Sequence, residues 1–141
     1  MRNTYSPWAE LSQLDLELVW RPLPPRRLGE YYRDSGLIVL NPAMPRRQAR
    51  SVLCHELRHH EFGDVGVACS KAEARQELRA DKTASRLLID IHDLGDALVT
   101  HDHHQGAAAV ELRVSMLMLA TRMRHLHPSE VHFLRRRCHV E

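Results

Sequence analysis

Two histidines one helical turn apart, with a glutamate beside the first, constrain this chain more than any other feature: His55-Glu56-Leu57-Arg58-His59. Around them, Ala49, Val52, Leu53 and Leu57 recur at helical spacing from Pro45 onward, and Gly63 stands where a C-terminal stop belongs. Positions four apart share a helix face, so both imidazoles can reach a single ion. Glu56 lies about 100° around the helix from His55, close enough to reach a water at that ion without ligating it.

A five-residue pattern in a chain with eleven histidines can arise by accident, so a third ligand carries weight. Ala74, Glu77, Asp81, Ala84 and Leu88 recur at three- and four-residue steps and share a face of a second helix. Alanine and leucine mark that face as buried, yet two carboxylates sit in its middle, where an unpaired charge is costly. The expectation is that Glu77 ligates and Asp81, one turn on, hydrogen-bonds a ligating histidine. The plainer alternative is an exposed acid pair beside Arg75, Arg79 and Lys82. Two histidines, one glutamate and an open fourth position suit catalytic zinc (Zn2+), because structural zinc takes four protein ligands. Cys54, Cys69 and Cys138 offer no C-x-x-C pair. Cys54 points about 100° away from His55 and reads as a core thiol. Their odd number fits a reducing compartment.

The remaining elements predict an α+β fold that is mainly helical, with a small three-stranded twisted sheet on the motif helix. Ser6-Pro7 opens a short helix to about Leu14. Leu14, Leu16, Leu18 and Trp20 then alternate with mostly polar residues as a half-buried strand. Pro22 to Pro25 ends it. Gly29 to Arg33 and Leu37 to Asn41 flank Asp34-Ser35-Gly36 as a hairpin. Leu37 to Asn41 is expected at the sheet edge, free to pair with an extended peptide. Ser70-Lys71-Ala72-Glu73 matches a capping box opening the second helix, which runs to about Asp90. From Asp93 the chain is helical again, with a helix, a tight turn at Arg113-Val114-Ser115, a helix from Met116 to Leu126, and another from Pro128. The division expected is a core over 1–92 and a helical C-terminal extension over 93–141 packed on it.

Apolar residues at 43% and charged residues at 27% describe a globular protein. A net charge of +2 gives no reason to expect direct nucleic-acid binding; Arg26-Arg27, Arg46-Arg47 and Arg135-Arg136-Arg137 read as solvated faces. Met1 to Trp8 lacks the apolar run of a signal peptide, and Leu37 to Leu40 is too short to span a bilayer. The expected place is the cytoplasm, away from membranes. Val114 to Leu126 has helix-turn-helix character, but its run of Met116, Leu117, Met118, Leu119 and Met123 predicts a buried helix. His101-Asp102-His103-His104 reads as a solvated loop.

These residues resemble the ImmA/IrrE-type metallopeptidases. Leu37 to His59 is similar to that family's strand-then-helix signature, reading LIVLNP…RRQARSVLCHELRH. Glu77-Leu78-Arg79-Ala80-Asp81 through Ala84, Leu87 and Leu88 is similar to its E-x-x-A-(D/N)-x-x-A-x-x-L-L pattern, and Val114-Ser115, Arg122 and Leu126 to its small helical tail. The resemblance implies a gluzincin-like fold, with His55, His59 and Glu77 as zinc ligands, Glu56 as general base and Asp81 supporting a ligand histidine. It also implies a protein substrate, of the kind represented by helix-turn-helix repressors of phages and mobile elements. Two departures stand out. Arg58 replaces a usual glycine, adding bulk and charge expected to affect substrate choice, and Ile89-Asp90 replaces Met-Pro. Tyr31, Tyr32, His92, His101, His103 and His104 are the candidates for stabilising an oxyanion. Two readings from other classes remain: a zinc-holding regulatory protein that does not cleave, and a metal-free helical interaction protein.

Overall fold

The computed structural model describes residues 1–66 and 69–139. Among them the elements are α1 (Pro7–Ser12), β1 (Glu17–Trp20), β2 (Gly29–Tyr32), β3 (Leu37–Leu40), α2 (Arg46–Phe62), α3 (Ser70–Leu88), α4 (Ile91–Thr100), α5 (Gln105–Leu112), α6 (Met116–Arg124) and α7 (Pro128–Arg137). The fold is α+β, mainly helical, with one small mixed sheet.

The sheet order is β1-β3-β2: β1 pairs with β3 in parallel, Leu18 opposite Ile38, and β2 pairs with it antiparallel, Tyr31 opposite Ile38. The strand expected at the edge, β3, is therefore central, and β2 is an edge. The continuous apolar run Leu37-Ile38-Val39-Leu40 carries the reason. Ile38, Val39 and Leu40 are fully buried, as in a strand covered on both faces, where alternation disappears. Gly36 turns the hairpin at φ 61°, a left-handed conformation that suits glycine.

One face of the sheet packs Ile38 and Leu40 against Leu53 and Leu57 of α2, with Trp8 and Leu11 of α1 closing the cluster. Trp20, expected on the half-buried face of β1, is exposed and stacks on Trp8 at 6.2 Å between ring centroids. A second core joins Cys54 of α2 with Ala84 and Leu88 of α3, Leu94 and Leu98 of α4, Leu112 of α5 and Leu119 of α6.

Gly63 ends α2 in the left-handed conformation, φ 64°, and its amide closes onto the carbonyls of His59 and His60. The capping box expected at Ser70-Glu73 does not form. The helix already includes Ser70, so Cys69 is the N-cap and no side chain caps it. At the other end α3 stops at Leu88, and Asp90 caps α4 instead by accepting from the amides of His92 and Asp93. The Met116 helix is only half buried: Met118 and Leu119 are covered, but Met116 and Leu117 face solvent. No described helix is long and apolar enough to cross a membrane.

Candidate metal centre

The site forms where α3 packs along α2. His55 and His59 project from one face of α2, and their Nε2 atoms lie 3.0 Å apart. Glu77, from α3, bridges them: Oε2 lies 2.9 Å from His55 Nε2 and Oε1 3.0 Å from His59 Nε2. Among the described residues these three make up the group of side chains able to hold a metal ion. Ligand atoms around a four-coordinate zinc would stand about 3.3 Å apart, so the spacing and the N, N, O donor set both fit that ion. Three acceptors converging on one point also require a cation among them, a proton in the metal-free protein or a metal once bound.

Each imidazole is oriented from behind. His55 Nδ1 donates to Asp81 Oδ1 at 2.7 Å, and His59 Nδ1 donates to Asp64 Oδ2 at 2.9 Å. That turns each Nε2 toward the centre, so that once its proton is displaced it presents the lone pair a metal requires. Asp64 is held in turn by Arg79 of α3 at 2.5 Å, and the Arg79 guanidinium lies 4.2 Å above the Phe62 ring.

The electrostatics follow from these contacts. Burial opposes a charge on His55, but hydrogen bonds to Asp81 and Glu77 and the field of Glu56 outweigh it, pushing its pKa up to about 10. Burial likewise opposes a charge on His59, whose pKa is nonetheless raised by Glu77 and Asp64. Hydrogen bonds from both histidines hold the Glu77 carboxyl well below the usual carboxylate range. Burial pushes Glu56 upward, against the pull of the two imidazoles.

Glu56 is 6% exposed, and it faces a cleft with two lobes that meet at the metal ligands. The larger lobe, about 600 Å³, runs along β2 past Tyr31 and Tyr32. The smaller, about 380 Å³, lies between the start of β2 and α6. Backbone approaches Glu56 closely at the first residue of β2. A Cβ on Gly29 would lie 2.6 Å from Val52 Cγ1 and 3.3 Å from Glu56 Oε1.

The structure brings His55, Glu56, His59, Glu77 and Asp81 together at one cleft, and it differs from expectation at two points. The face carrying Glu77 is buried only at its C-terminal end: Ala84 and Leu88 are covered, but Ala74 is exposed and the Glu77 side chain is 51% exposed. The acid sits at the mouth of the cleft, where an open coordination position needs solvent access. Arg58, expected beside the site, lines neither lobe. It turns to the other side of α2, 4% exposed, and forms ion pairs with Glu10 of α1 and Glu61. Of the oxyanion candidates, Tyr31 and Tyr32 line the cleft. His92 instead packs on Phe133, His101 pairs with Glu111, and His104 caps α5.

Asp64 is a further residue of the site, one that no sequence motif marks. Its only local signal is Gly63, whose left-handed turn sends the chain back toward His59.

A metal site seated on one helix beneath a small sheet and completed by an acid from the next helix is the plan of a metallopeptidase. A family model described as the IrrE N-terminal-like domain, of the peptidase M78 family, matches residues 12–124, and the chain belongs to that family. No curated protein matches the sequence. The matched span runs from the end of α1 to the end of α6 and includes both helices of the site.

Proposed function

We propose that this protein is a zinc-dependent endopeptidase that hydrolyses a peptide bond in a specific protein partner, a helix-turn-helix repressor being the class the family resemblance favours. The observation that carries the reading is the convergence of His55 Nε2, His59 Nε2 and the Glu77 carboxylate, with both distal imidazole nitrogens already engaged by carboxylates. Zinc held there would supply Lewis acidity, lowering the pKa of a bound water to about 7 and polarising the scissile carbonyl.

The chain's own groups do the rest. Glu56 takes a proton from the attacking water and returns it to the leaving amine nitrogen. Its buried position in the cleft wall favours this, because a raised pKa makes it a better proton acceptor. Asp81 and Asp64 hold the two imidazoles in register. The edge strand β2, rather than the central β3, offers backbone groups to an extended substrate running past Glu56. Tyr31 is the better placed oxyanion donor; its hydroxyl is fixed 2.9 Å from His60 Nδ1 on the cleft wall.

The test is a peptide mixture prepared from a bacterial proteome, incubated with zinc-loaded protein and read by mass spectrometry. Wild type should hold about one zinc per chain and generate new peptide termini, whereas Glu56→Gln should hold the same zinc and generate none. Equal cleavage by the two proteins would remove the peptidase reading. Zinc binding without any cleavage would favour a regulatory role.

A further inference from the structure

The smaller lobe of the cleft is built partly from the C-terminal helices, and its chemistry differs from that of the β2 side. Leu117, at the start of α6, is 69% exposed, the highest value among the large apolar side chains of the described residues. It forms an apolar wall of this lobe together with Met118, Val52 and Leu28, while Arg26, Arg27, Gln48 and Glu73 make other parts of the lining polar and His55, Glu56 and Glu77 stand in the same lobe. Leaving a leucine in water forgoes the stabilisation of burying it, about 1.5–3 kcal/mol. At the rim of a metal cleft, such a side chain is covered once a ligand arrives.

The wall it stands on is fixed. Three residues of α2, on the same helix as the metal ligands, hold the turn between α5 and α6. Arg47 donates to the carbonyl of Val114 at 2.8 Å, and Arg50 to that of Arg113 at 3.0 Å. Ser51 Oγ accepts from the Ser115 amide at 3.0 Å. Ser115 then caps α6 through the Met118 amide. The distance from the metal ligands to Leu117 is therefore set by hydrogen bonds rather than by a free loop.

We infer that the α6 side of the cleft is a specificity pocket whose apolar wall, with Leu117 outermost, receives a large aliphatic side chain of the substrate next to the scissile bond. This rests on the reading of the site as an open zinc centre. The geometry makes Leu117 a specificity-determining residue: it meets the substrate side chain and takes no part in proton transfer.

Amino-acid hydroxamates test this without turnover, since the hydroxamate chelates zinc and leaves the side chain to sample the cleft. With zinc-loaded wild-type protein, calorimetry should show leucine hydroxamate binding at least tenfold more tightly than glycine hydroxamate. In Leu117→Ser that ratio should fall to within about twofold, with the glycine compound unaffected, and Leu117→Met should keep most of the preference. Leu117 is exposed and near a helix start, so these variants should fold, which circular dichroism would check. A wild-type ratio near one, or a ratio unchanged in Leu117→Ser, overturns the pocket and leaves the zinc centre standing. Failure of even glycine hydroxamate to bind zinc-loaded protein overturns the open centre and the pocket together.

Discussion

Asp64 Oδ2 accepts a 2.9 Å hydrogen bond from His59 Nδ1, although five residues and a chain reversal separate the two. Asp81 does the same for His55 from a different helix. Carboxylates behind metal-bound imidazoles fix the tautomer and raise ligand basicity, and removing one costs about 10–100-fold in metal affinity. Asp64→Asn and Asp81→Asn should each weaken zinc binding by about that factor in chelator competition. An affinity within about twofold of wild type in both would show that these contacts do not orient the ligands.

The charge on His55 sets a pH dependence. Its pKa is about 10 in the metal-free fold, against roughly 6.5 in an unfolded chain. The stabilisation it gives the metal-free protein is therefore complete below about pH 6.5 and is lost as pH rises toward 10. Zinc must displace that proton, so its affinity should rise with pH across the same window, by up to about tenfold per unit. Zinc titrations at several pH values check this, with melting curves of the chelated protein as the companion measurement. A zinc affinity that stays flat would contradict it.

Gly29 is required by closeness rather than by backbone conformation. An added Cβ would meet Val52 Cγ1 at 2.6 Å, on the strand that passes Glu56. Gly29→Ala should destabilise the fold by about 1–3 kcal/mol through overpacking. Val52→Ala in the same chain should recover much of that loss, because the clash is with that side chain. Additive losses in a double-mutant cycle would argue against the contact.

On α7, Glu130 accepts from both Arg122 and Arg86, and Arg122, 2% exposed, also donates to the Ile89 carbonyl. The two guanidinium groups hold the Glu130 carboxyl well below its usual range, against the opposing effect of burial. Its contribution is thus present above about pH 4–5 and lost as pH falls toward the depressed folded value. Glu130→Gln should cost about 3 kcal/mol at neutral pH by leaving a buried arginine poorly paired. The gap to wild type in urea melts should close as the solution is acidified. A gap that persists unchanged at pH 3 would rule out this ion pair as the source.

Arg58 supplies a test of direction. Because it binds Glu10 and Glu61 on the side of α2 away from the cleft, Arg58→Gly should leave zinc affinity within about twofold. Its melting temperature should drop, since removing one partner of a buried pair costs about 3–5 kcal/mol. An unchanged melting temperature with altered zinc binding would place Arg58 at the site after all.

The parts of the fold legible in the sequence are those written in local periodicity. Spacing of three and four residues marks α2 and α3, and it puts His55 and His59 on one face of α2 and Glu77 and Asp81 on one face of α3, because side-chain direction on a helix follows from residue number alone. Relationships that depend on where the chain returns were not legible. β3 became central because β1 pairs with it across a long excursion, which alternation in β1 cannot reveal. Asp64 reaches His59 only through the left-handed turn at Gly63. Arg58 found its acids on α1 and one turn along its own helix, so its direction was decided by packing. The apolar spacing on α3 marks a buried face, and Ala84 and Leu88 are buried, but the same spacing does not reveal that the face emerges into solvent at Ala74 and Glu77.

The hydrogen bonds from Arg47, Arg50 and Ser51 to the α5–α6 turn make the metal-bearing helix dependent on sequence more than sixty positions downstream. Cutting the protein back to the segment that holds the ligands would strand two arginines against nothing and strip the cover from Cys54 and Leu88. Heated intact, the chain is expected to surrender its metal and its last helices in one calorimetric peak.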